Sequence, residues 1–134
     1  MFSYSRRLDG ELTPKIPVSI RYKNKEIRQT ALVDTGADNT FIPEDVAELL
    51  GIRYQRGREI PITGIDKELK CTLHHVTITL FDGSEKVVVE NVPVHVPKMS
   101  QKRIGVLLGR NGLPDKFQLI LNEKQNVITL GYLE

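Results

Sequence analysis

The chain has 134 residues, 40% of them apolar and 27% charged, with a formal net charge of +2. That length suits one domain with a modest core, and the near balance of acids and bases implies no field strong enough to gather nucleic acid or an anionic membrane surface. No stretch approaches the roughly 20 apolar residues of a membrane helix, and a single cysteine, Cys71, excludes an internal disulfide and a cysteine metal cluster.

Residues 1–15 (MFSYSRRLDGELTPK) are polar and lack the apolar core of a signal peptide, so they read as an N-terminal extension before a domain over 16–134. With the lone cysteine, this makes a cytoplasmic location the expectation. Ile16, Val18, Ile20 and Tyr22 then alternate with polar residues, which predicts a half-buried strand. Lys23-Asn24-Lys25 predicts the turn of a hairpin, and Ala31-Leu32-Val33 the buried end of its second strand. The segment PEDVAELLG predicts a helix: Pro43 suits its first position, Glu44 and Asp45 its N-terminal dipole, Val46, Leu49 and Leu50 one apolar face, and Gly51 its stop.

REIPITGIDKELK, residues 58–70, reads as strand, turn and strand around Thr63-Gly64-Ile65, a ribbon able to project and cover something. Val76, Ile78 and Leu80, then Val92, Val94 and Val96, predict a second hairpin about Asp82-Gly83. His74 and His75 are neighbours in a strand and so point to opposite faces, which disfavours joint metal binding. The basic run Lys98 to Arg103 has no interleaved aromatics and reads as a solvated loop, not a nucleic-acid patch. A short helix is expected after Gly112, with Pro114 in its first turn, and Phe117, Leu119 and Leu121 open a last hairpin that turns over Asn122 to Asn126. No cofactor signature and no phosphate-binding glycine loop appears. The fold class is all-β, with one or two short helices.

Asp34 is the residue that asks for an explanation. It follows the apolar run 31–33 and precedes Thr35, Gly36 and Ala37, which supply a hydroxyl, close backbone approach and room. A carboxylate shielded there needs hydrogen bonds or a partner. Taken alone, Asp-Thr-Gly also suits an acid that merely caps a turn.

Three features together, the apolar-apolar-Asp-Thr-Gly-Ala run, the helix at 43–50 and Val106-Leu107-Leu108-Gly109-Arg110-Asn111, resemble the retroviral-type (retropepsin-like) aspartic proteases, in particular their short single-domain cellular forms. The resemblance runs from Ile16 to Leu130 and implies a closed acid-protease barrel with a flap hairpin. It implies that Asp34 is the catalytic acid, with Thr35 bracing the paired loops across two chains and the Gly36 backbone facing substrate. Ala37 and Asp38 would lie beside substrate, with Asp38 paired to Arg110 and Asn111 completing that structural support. Ile62, Thr63, Gly64 and Ile65 would form the flap, and Leu107 part of the cleft wall. Only Gly64 is a glycine near that tip, fewer than family flaps often carry.

Peptide hydrolysis by carboxyl groups needs a base for water and an acid for the carbonyl oxygen, and two carboxyls sharing one proton serve as both. This chain has one Asp-Thr-Gly; Asp9, Asp66, Asp82 and Asp115 stand in polar turn contexts. A symmetric homodimer acting on peptide or protein substrate, without metal, is therefore expected, with Asn126 to Leu130 a candidate for interface pairing. The alternative from another class is a catalytically inactive dimerisation or peptide-binding module on the same fold; a third is a barrel in which Asp34 only caps its turn.

Overall fold

Alternating apolar residues need a second layer to bury against, and here the sheet supplies it by closing on itself. The computed structural model describes residues 2–3, 5–6, 12–53, 58–63, 68–82, 85–98, 105–113 and 117–132. In chain order the elements are β1 (Phe2–Ser3), β2 (Ser5–Arg6), β3 (Leu12–Thr13), β4 (Lys15–Tyr22), β5 (Lys25–Val33), β6 (Thr40–Phe41), α1 (Glu44–Leu49), β7 (Arg58–Thr63), β8 (Glu68–Asp82), β9 (Glu85–Pro97), β10 (Val106–Leu108), β11 (Phe117–Asn122) and β12 (Val127–Tyr132), with one turn of 3-10 helix at Arg110–Gly112 before β11. The main sheet runs β4-β5-β10-β6-β9-β8-β7, and a further β4–β8 pairing closes its first six strands into a barrel. This is the expected all-β barrel.

The inward residues of each strand fill that barrel. Ile16, Val18 and Ile20 of β4, Val76, Ile78 and Leu80 of β8, and Val92, Val94 and Val96 of β9 are all buried in one cluster with Ile42, Leu50 and Leu108. Each large aliphatic side chain so placed contributes roughly 1.5–3 kcal/mol by leaving water. Tyr22 pairs with Lys25 across the two-residue turn Lys23-Asn24, where Lys23 takes a left-handed φ of 55°. Between β8 and β9 the register slips at Val76/Ile78, and Asn91, φ 56°, absorbs the extra residue of the bulge. His74 is buried and His75 exposed, on opposite faces. Among the described residues β7 pairs only with β8, from Arg58↔Leu73 to Thr63↔Glu68, so the expected ribbon extends from the barrel. Gly64 and Ile65 at its turn lie outside the described residues.

The helical segments differ from expectation in two respects. Pro43 is the N-cap of α1 (φ −63°, ψ 154°), one residue before the first helical position, and its carbonyl accepts from Ala47 N–H at 2.9 Å. The face of α1 that packs inward is Val46, Ala47 and Leu50, while Leu49 is 63% exposed. At 100° per residue Leu49 stands about 100° from the centre of those three, beyond a face that only one short helix presents to the barrel. One 3-10 turn stands at Arg110–Gly112, after which Leu113 is extended (φ −101°, ψ 141°); the helix expected after Gly112, with Pro114 in its first turn, falls on residues 114–116, outside the described residues. The residue before a proline is driven out of the helical region, and Pro114 follows. Pro114 itself lies outside the described residues.

The last hairpin forms a separate sheet of order β1-β12-β11. Its turn is held by Gln125 N–H donating to Asn122 Oδ1 at 3.0 Å, with Asn126 at φ 56°.

Candidate active site

β5 ends at Val33, and the chain must then cross to β6, which is not its neighbour: β10 lies between them. The connecting loop, Asp34 to Asn39, therefore passes over the end of β10 and is fastened to it. Asp34 N–H donates to Leu108 O at 3.0 Å, continuing the parallel register Leu107↔Leu32 and Leu108↔Val33 by one residue. Asp34 Oδ1 accepts from Gly36 N–H at 3.0 Å, and Ala37 N–H donates to Asp34 O at 3.2 Å, so the acid's orientation is set within a tight turn. A Cβ at Gly36 would stand 3.2 Å from that same Oδ1, which makes glycine the comfortable residue beside the acid. Asp34 is half-buried, and Thr35 and Gly36 next to it are exposed.

The far side of the loop is clamped by the segment after β10. Arg110 N–H donates to Ala37 O at 2.9 Å and Asn111 N–H to Asp38 O at 3.1 Å. The side chains of Arg110 and Asp38 form an ion pair, 64% and 72% exposed, so water screens it and the backbone bonds matter more to the docking. Gly109 is where the two segments touch: a Cβ there would lie 2.1 Å from Asn39 O and 2.9 Å from Ala37 O, so only glycine permits the approach.

Beneath the clamp is Thr40, fully buried at the start of β6. Its hydroxyl accepts from Gly109 N–H at 3.2 Å and donates to Asn111 Oδ1 at 2.7 Å, while Asn111 Nδ2 donates to Pro93 O at 3.1 Å. Loop, clamp and β9 thus share one polar network. Thr40 and Pro93 were not marked by the sequence: a buried hydroxyl in Asn-Thr-Phe has no periodic signature.

His95 lies one position along. It pairs with Phe41 in the parallel β6–β9 register, its ring 5.7 Å from that of Phe41, and its carbonyl accepts from Ile42 N–H at 3.0 Å. Burial lowers the His95 imidazole below its usual range against a smaller opposing effect of the Thr40 backbone, and Nδ1 has no hydrogen-bond partner among the described residues. His74, bonded to the Thr72 hydroxyl at 2.8 Å, is likewise lowered, first by burial and then by His75. Burial pushes the Cys71 thiol up to about 11, the environment of a packed residue, not of a nucleophile.

Asp34, Thr35, Gly36, Ala37, Asp38, Leu107, Arg110 and Asn111 are thus brought into one loop-and-clamp unit. Ile62 and Thr63 belong to another element, the end of β7 nearest the ribbon's turn. Among the described residues no group of three or more His, Cys, Asp or Glu is placed to hold a metal, and no helix is long and apolar enough to cross a membrane. A surface recess of about 330 Å³ bounded by Arg21, Lys23, His75 and Glu90 includes none of the loop or clamp residues.

A family model described as aspartyl protease matches residues 16–111, the span holding both loop and clamp. The chain is similar in structure to a retropepsin-like aspartic protease from Rickettsia conorii, with TM-score 0.67 at 22% identity over 96% of this chain and 88% of that one. It is also similar to the retroviral protease-like domain of Ddi1 from Leishmania major, with TM-score 0.56 at 15% identity over 91% and 94% of the two chains. At such identities these likenesses speak to the fold. No curated protein matches the chain.

Proposed function

We propose that this chain, which belongs to the aspartyl protease family, is an endopeptidase that works as a homodimer, each copy giving one Asp34. The observation that carries the reading is the way Asp34 is held: its backbone is tied to β10, its carboxylate is oriented by Gly36 N–H, and its neighbours Thr35 and Gly36 face solvent. An acid that only capped its own turn would need neither the clamp nor an exposed Thr-Gly beside it. The chain supplies one such loop, so the second carboxyl comes from a second copy on a twofold axis.

Two facing carboxyls hold one proton between them, since both cannot readily ionise at that separation. The ionised one takes a proton from a water as the water oxygen bonds to the peptide carbon. The protonated one gives its proton to the carbonyl oxygen, and a tetrahedral diol results. The carboxyl now protonated gives its proton to the nitrogen as the C–N bond breaks, while the other carboxylate takes a proton from a diol hydroxyl, so that an acid and an amine are released and the pair again holds one proton. Thr35 braces the two loops against each other. Substrate lies extended between the loop and the ribbon, bonded through its backbone as an added strand, with Ala37, Asp38 and Leu107 on one side and Ile62, Thr63, Gly64 and Ile65 on the other.

Replacing Asp34 by Asn keeps the side chain's shape and its acceptor for Gly36 but removes the proton-carrying pair. Cleavage of a denatured protein pool should fall at least a thousandfold, with circular dichroism unchanged. Cleavage persisting in Asp34→Asn would assign the acid a structural role only. A peptide mimic carrying a hydroxyl at the tetrahedral centre should bind the native dimer far more tightly than the corresponding peptide.

A further inference from the structure

One row of side chains crosses six strands of the main sheet. Leu32 of β5 pairs with Leu107 of β10, Leu107 with Phe41 of β6, Phe41 with His95 of β9, His95 with Leu73 of β8, and Leu73 with Arg58 of β7. Register partners share a face of the sheet. This face is turned away from the core, which the alternate residues Val33, Leu108 and Val94 help to fill. Leu32, Leu107, Phe41 and Leu73 are half-buried and Arg58 is exposed, but His95 is only 5% exposed. A polar ring is thus the most deeply buried member of a mainly apolar row. Towards one end of the row is Leu107, whose neighbour Leu108 accepts the Asp34 N–H; at the other is Arg58, the first residue of the ribbon.

β6 is two residues long, and each of them holds something. Thr40 bonds the clamp on one face, and Phe41 meets the His95 ring on the other, with centroids 5.7 Å apart. We infer that His95 is a positioning residue: its ring sets the root of the ribbon against the strand that leaves the Asp34 loop, and does so only while uncharged. The inference rests on the endopeptidase reading above, in which substrate lies between loop and ribbon. The spacing of those two parts decides where the peptide carbonyl sits over the acids, and a displacement of about 1 Å costs about a hundredfold in rate. His95 acts through Phe41 and Leu73, not on the substrate.

The need for an uncharged ring comes from its surroundings. Nδ1 has no hydrogen-bond partner among the described residues. On the same face β8 offers Cys71 and His75, β7 offers Arg58, and β6 offers no titratable group. Glu59, next to Arg58, points to the other face. The clamp adds Arg110, already paired with Asp38. Glu44, Asp45 and Glu48 belong to α1, which packs on the core face through Val46, Ala47 and Leu50. Among the described residues of these elements, no unpaired acid shares the face of His95, so a proton there would bury a charge without a partner. The lowered proton affinity of the ring agrees. Acid therefore displaces the ring, and the ribbon's root loses its fixed relation to β6.

The test measures cleavage against pH for native protein, His95→Leu, His95→Gln and, as a control, His74→Gln. His74 is also buried and lowered, but it lies on the other face of β8, outside the row. At pH 7.5 His95→Leu should lose about tenfold in kcat with KM little changed, and His95→Gln should regain part of that loss, since its amide keeps a donor for the Thr40 backbone. Native kcat should fall along an acid limb with its midpoint below 6.5, read while circular dichroism is unchanged. His95→Gln should lack that limb, and His74→Gln should keep it. A limb unchanged in His95→Gln, or a kcat that survives His95→Leu, overturns the inference and leaves the endopeptidase standing. No cleavage by the native chain at any pH overturns the endopeptidase and this inference with it. Should both His95 variants fail to fold, the native chain decides: the midpoint of its limb must coincide with the titration of the His95 ring followed by NMR, and a mismatch ends the inference.

Discussion

Thr40 contributes one hydroxyl, yet that hydroxyl joins the loop bearing Asp34 to the clamp through Gly109 and Asn111. Thr40→Val keeps the shape and strands a buried N–H and a part-buried amide oxygen, so stability should drop by about 1–3 kcal/mol in urea unfolding, with kcat falling more than KM rises. Gly109→Ala forces Asn39 and Ala37 apart and should cost a similar amount while disordering the acid's turn. His95 sets a pH dependence. Its folded value is lowered, so between that value and the ordinary 6.5 the unfolded chain binds a proton that the folded chain refuses. Stability is therefore full above about 6.5 and is lost as pH falls below it. His74, lowered the same way, adds to the loss. Urea midpoints should fall from pH 7.5 to pH 5, and His95→Gln should flatten part of that slope. At this scale the sequence displayed Asp34, because its carboxylate interrupts an apolar run, and hid Thr40 and His95, whose importance comes from partners about 70 and 50 positions away in the chain.

The elements were legible where period alone decides. Val76, Ile78 and Leu80 alternate, and all three are buried. Where packing decides, the pattern misled. Leu49 and Leu50 look alike in PEDVAELLG, but only Leu50 reaches the barrel. Leu50→Ala should cost about 2–5 kcal/mol and Leu49→Ala no more than about 0.5, read from thermal or urea unfolding. Packing also decides at Gly112, where a Cβ would meet Leu108 and Thr40 and so leaves no space for a side chain, while Leu113, the residue before a proline, is extended. β11 shows the limit from the other side. Its alternation promised a buried Leu121, and the single chain leaves that residue open.

At the scale of the whole molecule, the core lies within one chain: β4, β5, β8, β9, β10 and α1 all contribute to a single buried cluster that Ile128 of β12 also joins. Folding and chemistry should accordingly separate. Cleavage per chain should rise with protein concentration and level off as dimers fill, while the circular dichroism of the chain stays constant over the same range. A spectrum that collapsed on dilution would show the barrel itself to need a partner. The crossing of the Asp34 loop over β10 has a further consequence, one of timing. The strand that seats the acid is made long after the loop, and the Thr40–Asn111 bond that locks the two spans 71 positions. A polypeptide growing on the ribosome therefore carries Asp34 unseated until the Gly109–Gly112 segment has emerged and slotted home, late in its own synthesis.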